Sequence, residues 1–152
     1  TRVIDTTFIG HVFEPYEVTV EAGRLRFFAK ATGQADPVYS QMEAAQAAGY
    51  PNLPVPPTFF MCLESASPTP SAMRDLLGID FRYVLHGEQH FSYHRMAFAG
   101  DVLRFQQRVA DIYAKKGGAL EFAVRETTVH NQRGELVAEL RGVTVVRHPQ
   151  AA

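Results

Sequence analysis

The chain has 152 residues and a formal net charge of -1 at pH 7, and 46% of its residues are apolar. This length and composition predict one domain, over 1–152, that can bury a substantial core. Because the charge is close to zero, there is no overall field to attract nucleic acid or an anionic membrane surface, and neither partner is expected.

Two short helices are predicted near the start of the chain. The run 21–32 places apolar residues at helical spacing, and Gly33 follows it as a stop. After a turn, Ser40 is a candidate N-cap and Glu43, three residues on, is its candidate reciprocal partner. Gly49 then ends the second helix.

A third helix, apolar on nearly all sides, follows a cluster of prolines. Proline fits the first turn of a helix but not its interior, so this helix is predicted to begin near Pro57 and to end before Pro68. A helix without a polar face is normally buried. We therefore expect it to form the centre of the core.

From Arg82 onward the apolar period changes to two, which is typical of strands. Glycine-containing joints separate the runs and permit tight turns. Strands joined in this way predict an antiparallel meander, to which 16–20 adds an edge strand. The runs cover 82–95, 101–114, 119–131 and 135–147.

These elements predict an α+β architecture. An antiparallel sheet needs one face covered, and the apolar helix after Pro57 is the obvious cover. The expected fold is a curved antiparallel sheet of about five strands wrapped round a central helix.

Two features bear on the location of the protein. The one cysteine, Cys62, excludes an internal disulfide and fits a reducing compartment, and within an apolar helix it is expected to be a buried side chain. The sequence shows neither a signal peptide nor an apolar run of about 20 residues, the length that spans a membrane. We therefore expect a cytoplasmic protein.

The ordered motifs "ATGQADPVY", "NLPVPPTF" and "LHGEQHFSYHR", followed by "FAGDVL", resemble the hot-dog fold of the MaoC-like family. That family includes the (R)-specific enoyl-CoA hydratases and the 3-hydroxyacyl-thioester dehydratases. The resemblance runs from about Tyr16 to Arg147 and is strongest to dehydratase domains like those of fungal-type fatty acid synthase. It implies a thioester of coenzyme A or acyl carrier protein as the substrate, no cofactor, and a role in fatty acid metabolism.

The resemblance also shows what this chain lacks. Catalytic members carry an Asp and a His five positions apart, which activate a water for addition to an enoyl thioester. Aligned on Pro37, these positions fall on Gln34 and Tyr39. An amide does not titrate, and a phenol with an ordinary pKa of about 10 is a poor base at neutral pH.

A second replacement concerns the start of the central helix. In catalytic relatives a His-Gly pair stands there, and the glycine N–H donates to the thioester carbonyl. Aligned on Val55, the two positions fall on Pro56 and Pro57. Proline has no N–H, so this donor is absent.

Candidate substrate-binding residues come from the turn and from the apolar helix. Asp36 precedes Pro37, where its expected role is to accept a hydrogen bond that holds the turn closed. An acyl chain could lie along the apolar stretch, although core packing explains each of its residues equally well. These candidates are Tyr50, Pro57, Phe59, Phe60 and Met61.

An alternative site lies on the strand "HGEQHFSYH". Strict alternation would put His86, Glu88, His90, Ser92 and His94 on one face of this strand. The triplet His86, Glu88 and His90 could pair an acid with a base, whereas a metal site is not predicted because the spacing alone does not supply one.

The function favoured by these observations is binding of an acyl thioester within an (R)-specific hydratase or dehydratase system. The chain would be the member of a hot-dog pair that lacks the dyad and depends on a dyad-bearing partner. One alternative is a self-sufficient homodimeric hydratase or thioesterase with displaced catalytic residues. Another is a non-enzymatic module that binds acyl-CoA.

Overall fold

The computed structural model describes residues 3–149, so residues 1–2 and 150–152 of the predicted domain lie outside it. The described chain forms one five-stranded antiparallel sheet in the order β1-β3-β4-β5-β2. This α+β hot-dog fold confirms the predicted fold class. The strands are β1 (Tyr16–Thr19), β2 (Val84–Tyr93), β3 (Val102–Lys115), β4 (Leu120–His130) and β5 (Leu136–Arg147).

The helices are all short. They are α1 (Ala22–Ala31), α2 (Met42–Ala47), α3 (Phe59–Glu64) and α4 (Ala72–Leu77), and single 3-10 turns form at Thr6–Phe8, Pro37–Tyr39, Phe81–Tyr83 and Lys116–Gly118. The first three helices confirm the predicted ones. Within residues 3–149 no helix has the length and apolar character needed to cross a membrane.

Two details of the helices were not predicted correctly. Ser40 is not the N-cap of α2, because the helix begins one residue later and Gln41 occupies the cap without a side-chain hydrogen bond. The helix α4 was missed, although Ser71 precedes it and Gly78 ends it in the left-handed conformation with φ of 63°.

The predicted four-strand meander is wrong at its first joint. The strands β3, β4 and β5 do follow one another as hairpins, but β2 pairs with β5 and leaves β3 on the far side of the sheet. The reason is a long-range pairing of the segment after β2. Val55 N donates to Ala97 O over 2.8 Å, and Ala99 N donates to Leu53 O over 2.8 Å, so this segment pairs with the entry to α3 before β3 begins.

The sheet therefore has two unlike edges. The strand β1 pairs only with β3, as the edge-strand prediction required, and is four residues long. The opposite edge is β2, a ten-residue strand that pairs with β5 alone. A long edge strand leaves a row of backbone donors and acceptors unpaired, which is a ready template for another strand.

The core lies between α3 and the inner face of the sheet. Phe60 and Leu63 of α3 are almost fully buried and pack against sheet residues such as Leu140 and Ala138. A second, smaller cluster joins α4 to the far end of the sheet through Met73. Because α3 covers the middle of the sheet, its first turn also forms the edge of the candidate site described next.

Candidate functional site

A cavity of about 370 Å³ opens between the start of α3 and the end of β2. We call it the Tyr39 cleft. It brings together three of the predicted site residues, Tyr39, Pro57 and Phe60. Its remaining lining residues are Val55, Tyr93, His94, Arg95, Met96 and Ala97.

The aromatic rings make one wall of the Tyr39 cleft. The rings of Phe60 and Tyr93 lie 6.1 Å apart between centroids, and Phe91 stacks on Tyr93 at 5.9 Å. Burial raises the pKa of the Tyr93 phenol above its ordinary value. The phenol is thus neutral at physiological pH, and the wall is suited to an apolar group with one hydrogen-bonding end.

The turn that carries the two dyad positions is held closed by its own hydrogen bonds. Gly33 adopts φ of 71°, and Gln34 N then donates to Ala29 O over 2.9 Å. The Gln34 Oε1 accepts from Asp36 N at 3.1 Å, and Asp36 Oδ1 accepts from Val38 N at 3.1 Å. Asp36 therefore has the predicted turn-closing role, and neither it nor Gln34 lines the cleft.

The entry to α3 offers no amide at the position where relatives have a glycine. Pro57 is exposed at the edge of the Tyr39 cleft, and Phe59 N is already used by Pro56 O at 2.9 Å. The first N–H after the two prolines belongs to Thr58. A thioester oxygen beside Pro57 would therefore lack the main-chain donor expected there.

The other candidate substrate residues do not line the cleft. Phe59 is 4% exposed and packs on Phe28, with ring centroids 4.9 Å apart. Tyr50 packs on Phe98 at 5.7 Å, and Met61 points outward with 36% of its surface exposed. For these three residues the structure shows packing or exposure away from the cavity.

The predicted alignment of His86 with Glu88 and His90 is wrong. The register shifts between His86 and Glu88, so His86 pairs with Thr144 and Glu88 pairs with Val143. Since neighbouring residues of a strand face opposite ways, this bulge puts His86 on the opposite face from Glu88 and His90. His90 Nε2 lies 3.8 Å from Glu88 Oε2, and within residues 3–149 no group of three or more His, Cys, Asp or Glu side chains is placed to hold a metal ion.

His94 lines the Tyr39 cleft, a position that the sequence does not predict. The strand β2 ends at Tyr93, and the chain turns there because His94 N and Arg95 N both donate to Val137 O, at 2.8 and 3.1 Å. The turn brings His94 to the edge of the Tyr39 cleft, and its Nε2 lies 2.9 Å from Oε2 of Glu139, which is outside the cleft lining. A histidine beside a carboxylate is a common acid–base pair. The feature of the sequence that could have placed His94 at the cleft is the end of the alternating pattern after Tyr93.

Comparison with known proteins identifies the family. A family model described as "FAS1-like, dehydratase domain region" matches residues 7–140. The chain belongs to this family. A UPF0336 protein of Saccharopolyspora erythraea is 36% identical over 147 residues, which cover 95% of this chain and 92% of that protein.

Solved structures of two dehydratases and of one further complex share the fold of this FAS1-like dehydratase domain. A MaoC-like dehydratase is 23% identical, with a TM-score of 0.78 over 92% of this chain and 42% of that one. The HadBC (3R-hydroxyacyl-ACP dehydratase) complex of Mycobacterium tuberculosis is 24% identical, with a TM-score of 0.76 over 91% and 96%. The ChsH1-ChsH2 complex of the same organism is 21% identical, with a TM-score of 0.74 over 93% and 86%.

Proposed function

We propose that this FAS1-like dehydratase domain is the acyl-thioester-binding member of a hot-dog pair that hydrates enoyl thioesters or dehydrates (R)-3-hydroxyacyl thioesters. The observation that carries the proposal is the composition of the Tyr39 cleft. It has apolar walls suited to an acyl group, yet Tyr39 stands at the histidine position and Pro57 at the glycine position. The cleft is suited to bind an acyl group, while Gln34 and Tyr39 do not make a water-activating dyad.

The acyl group would lie along the wall that Phe60 and Tyr93 form together, with the thioester near Tyr39 at the cleft mouth. Aromatic walls of this kind give large apolar contact with little loss of conformational freedom. The carrier, coenzyme A or acyl carrier protein, would remain outside the cleft. The Gln34 amide, engaged with Asp36 N, does not act as a base in this arrangement.

The partner would supply the Asp/His dyad and pair through β2. This strand is the long free edge of the sheet and ends beside the cleft at Tyr93, so a second strand laid along it would extend the sheet and cover the cleft mouth. Two structures with the same fold, HadBC and ChsH1-ChsH2, are complexes of two different chains. That precedent supports a heterodimer, and a homodimer would use the same edge.

The test combines the purified chain with crotonyl thioesters of coenzyme A and of acyl carrier protein. We expect binding without loss of the enoyl group by the chain alone, and hydration when a hot-dog chain with an intact Asp/His dyad is added as the partner. Hydration by the chain alone would contradict the proposal. Tight binding without hydration in the presence of that partner would indicate a non-enzymatic acyl-CoA module.

One observation favours a second candidate function, a self-sufficient hydratase or thioesterase with displaced groups. His94, paired with Glu139, reaches the same cleft as Tyr39 and could move a proton there. If this candidate is correct, the isolated chain turns over crotonyl-CoA, and His94→Ala and Tyr39→Phe each reduce the rate by about a hundredfold or more. The variant His90→Ala, on the outer face of β2, serves as the matched control and keeps the wild-type rate.

A further inference from the structure

Four buried polar atoms without a hydrogen-bond partner in residues 3–149 gather under α3. They belong to Glu64 (Oε2), Gln89 (Oε1), Arg125 (Nε) and Thr127 (Oγ1). We call these four residues the polar floor. No other buried side-chain nitrogen or oxygen of the described chain lacks a partner in this way.

The polar floor is built around an ion pair. Glu64 is 5% exposed, and its Oε1 lies 2.7 Å from Arg125 Nη2 and accepts from Gln107 Nε2 at 3.2 Å. Gly142 makes room for the group, because a Cβ there would come within 3.3 Å of Arg125 Nη2 and 3.4 Å of Gln89 Oε1. Any side chain at position 142 would therefore crowd the Arg125 guanidinium and the Gln89 amide.

The register of the sheet places the polar floor directly inward of the Tyr39 cleft. Residues paired across β4, β5 and β2 form rows on the inner face of the sheet. Phe60 of α3 packs on Tyr93 in the first of these rows, and Glu64, one helical turn on, meets Arg125 in the third row. Glu64 is four residues beyond Phe60, about 6 Å along α3, and Gln89 is four residues from Tyr93, about 13 Å along β2. Both elements therefore lead from the Tyr39 cleft to the polar floor. The rows across β4, β5 and β2 are Val129, Ala138 and Tyr93, then Thr127, Leu140 and Phe91, then Arg125, Gly142 and Gln89.

We infer that the polar floor closes the acyl site at its inner end and restricts this domain to short-chain acyl thioesters. The inference rests on the proposed function. The Tyr39 cleft ends at Phe60 and Tyr93. An acyl chain that extended it between α3 and β2 would displace apolar side chains for one helical turn and would then meet Glu64 and Arg125. Further methylene groups of the acyl chain would remove water from this ion pair. They would give no hydrogen-bond partner to Glu64 Oε2 or Arg125 Nε, which is unfavourable.

The experiment measures binding of saturated acyl-pantetheine thioesters, the part that coenzyme A and acyl carrier protein share, to the full chain. We expect affinity to rise from acetyl to hexanoyl and to fall at least tenfold from hexanoyl to dodecanoyl. In the double variant Glu64→Leu/Arg125→Leu, which replaces the ion pair with apolar groups, dodecanoyl binding becomes at least tenfold tighter. Hexanoyl binding stays within about twofold, because the cleft walls are unchanged.

Two control variants accompany this one. Glu64→Gln/Arg125→Gln keeps the floor polar and should keep the short-chain preference. Arg108→Leu/Glu126→Leu removes a cross-strand ion pair of the same composition from the outer face of the sheet and should leave the whole series unchanged. Circular dichroism tests whether each variant is folded. If the leucine variant is unfolded, the dependence of wild-type affinity on acyl length decides whether the polar floor limits chain length.

The outcomes separate the two proposals. If the wild-type chain binds no thioester of any length, the proposed function fails. If it binds dodecanoyl as tightly as hexanoyl, or if the folded leucine variant keeps the wild-type series, only the polar floor is overturned. A change in the series caused by Arg108→Leu/Glu126→Leu would likewise overturn it, because the effect would not be local.

Discussion

A Cβ atom built on Gly87 of β2 would lie 2.6 Å from Cγ2 of Val145 on β5. This approach is possible only for glycine, and it occurs at the bulge that separates His86 from Glu88. We expect Gly87→Ala to lower the free energy of unfolding by about 1–3 kcal/mol, because the new methyl group forces the two strands apart. Urea denaturation measures the change.

Two further variants test the cause of that loss. Val145→Ala removes the methyl group in question, so the double variant should recover part of the stability. Gly23→Ala, in α1 with no atom near its Cβ position, should instead stabilise by about 0.5–1 kcal/mol. Additive losses in the double variant would show that the contact with Val145 is not responsible.

The free edge of β2 should govern association. Leu85 is 53% exposed on this strand, and a lysine on an edge strand opposes pairing with another chain. We therefore expect Leu85→Lys to raise the dissociation constant of the pair at least tenfold in sedimentation velocity. Thr19→Lys, on the β1 edge, is the matched control, and equal weakening by both variants would rule out β2 as the pairing edge.

The strands and the first three helices could be predicted because each has a local pattern. The strand order could not, since it depends on the pairing of Leu53 and Val55 with the segment after β2, and no local pattern records that contact. The α4 helix also has local signals in the sequence, with Ser71 before it and Gly78 after it. Local signals thus defined the elements, and long-range hydrogen bonds defined their arrangement.

The candidate site was predictable to a similar degree. The proline-rich entry and the turn suggested Tyr39, Pro57 and Phe60 as site residues, and the structure brings these three to one cavity. Alternation misplaced His86, because one extra residue at the bulge reverses the faces. His94 agrees with the alternation, since it contacts Glu139, the cross-strand partner of Ser92. A glycine inside a strand pattern is the warning sign, since it often marks a bulge.

Glu121 joins the two ends of the described chain. Its carboxylate is buried, accepts from Ile4 N at 2.9 Å and lies 2.7 Å from His148 Nε2. Glu121→Ala should lower the free energy of unfolding by about 1–3 kcal/mol, because it leaves a buried N–H without an acceptor. Glu121→Gln keeps an acceptor and should cost less in the same thermal or urea denaturation, and a wild-type stability for Glu121→Ala would contradict this role.

Tyr16 should make the protein sensitive to alkaline pH. Its hydroxyl donates to Glu64 O at 2.6 Å, and burial, together with the nearby Glu64 carboxylate, raises the pKa of the phenol. A pKa that is higher in the folded chain gives stability that is present below the ordinary value of about 10 and is lost as the pH rises through the folded value. Urea denaturation between neutral and alkaline pH should show this decline.

The variant Tyr16→Phe isolates that contribution. At neutral pH it should cost about 1 kcal/mol through the lost hydrogen bond. Above the ordinary tyrosine pKa its stability should fall less steeply than that of the wild type, because no proton is released from this position on unfolding. An alkaline slope identical to that of the wild type would assign the sensitivity to other groups.

Under the proposed pairing through β2, the bulge at Gly87 also affects which strand of another chain can pair with this edge. A regular edge would accept many extended segments, whereas the bulge of β2 at Gly87 interrupts the regular spacing of donors and acceptors and so favours a strand that matches the interruption. In a cell that makes several hot-dog chains of similar shape, this irregularity would contribute specificity, because it would favour pairing with one chain over the others.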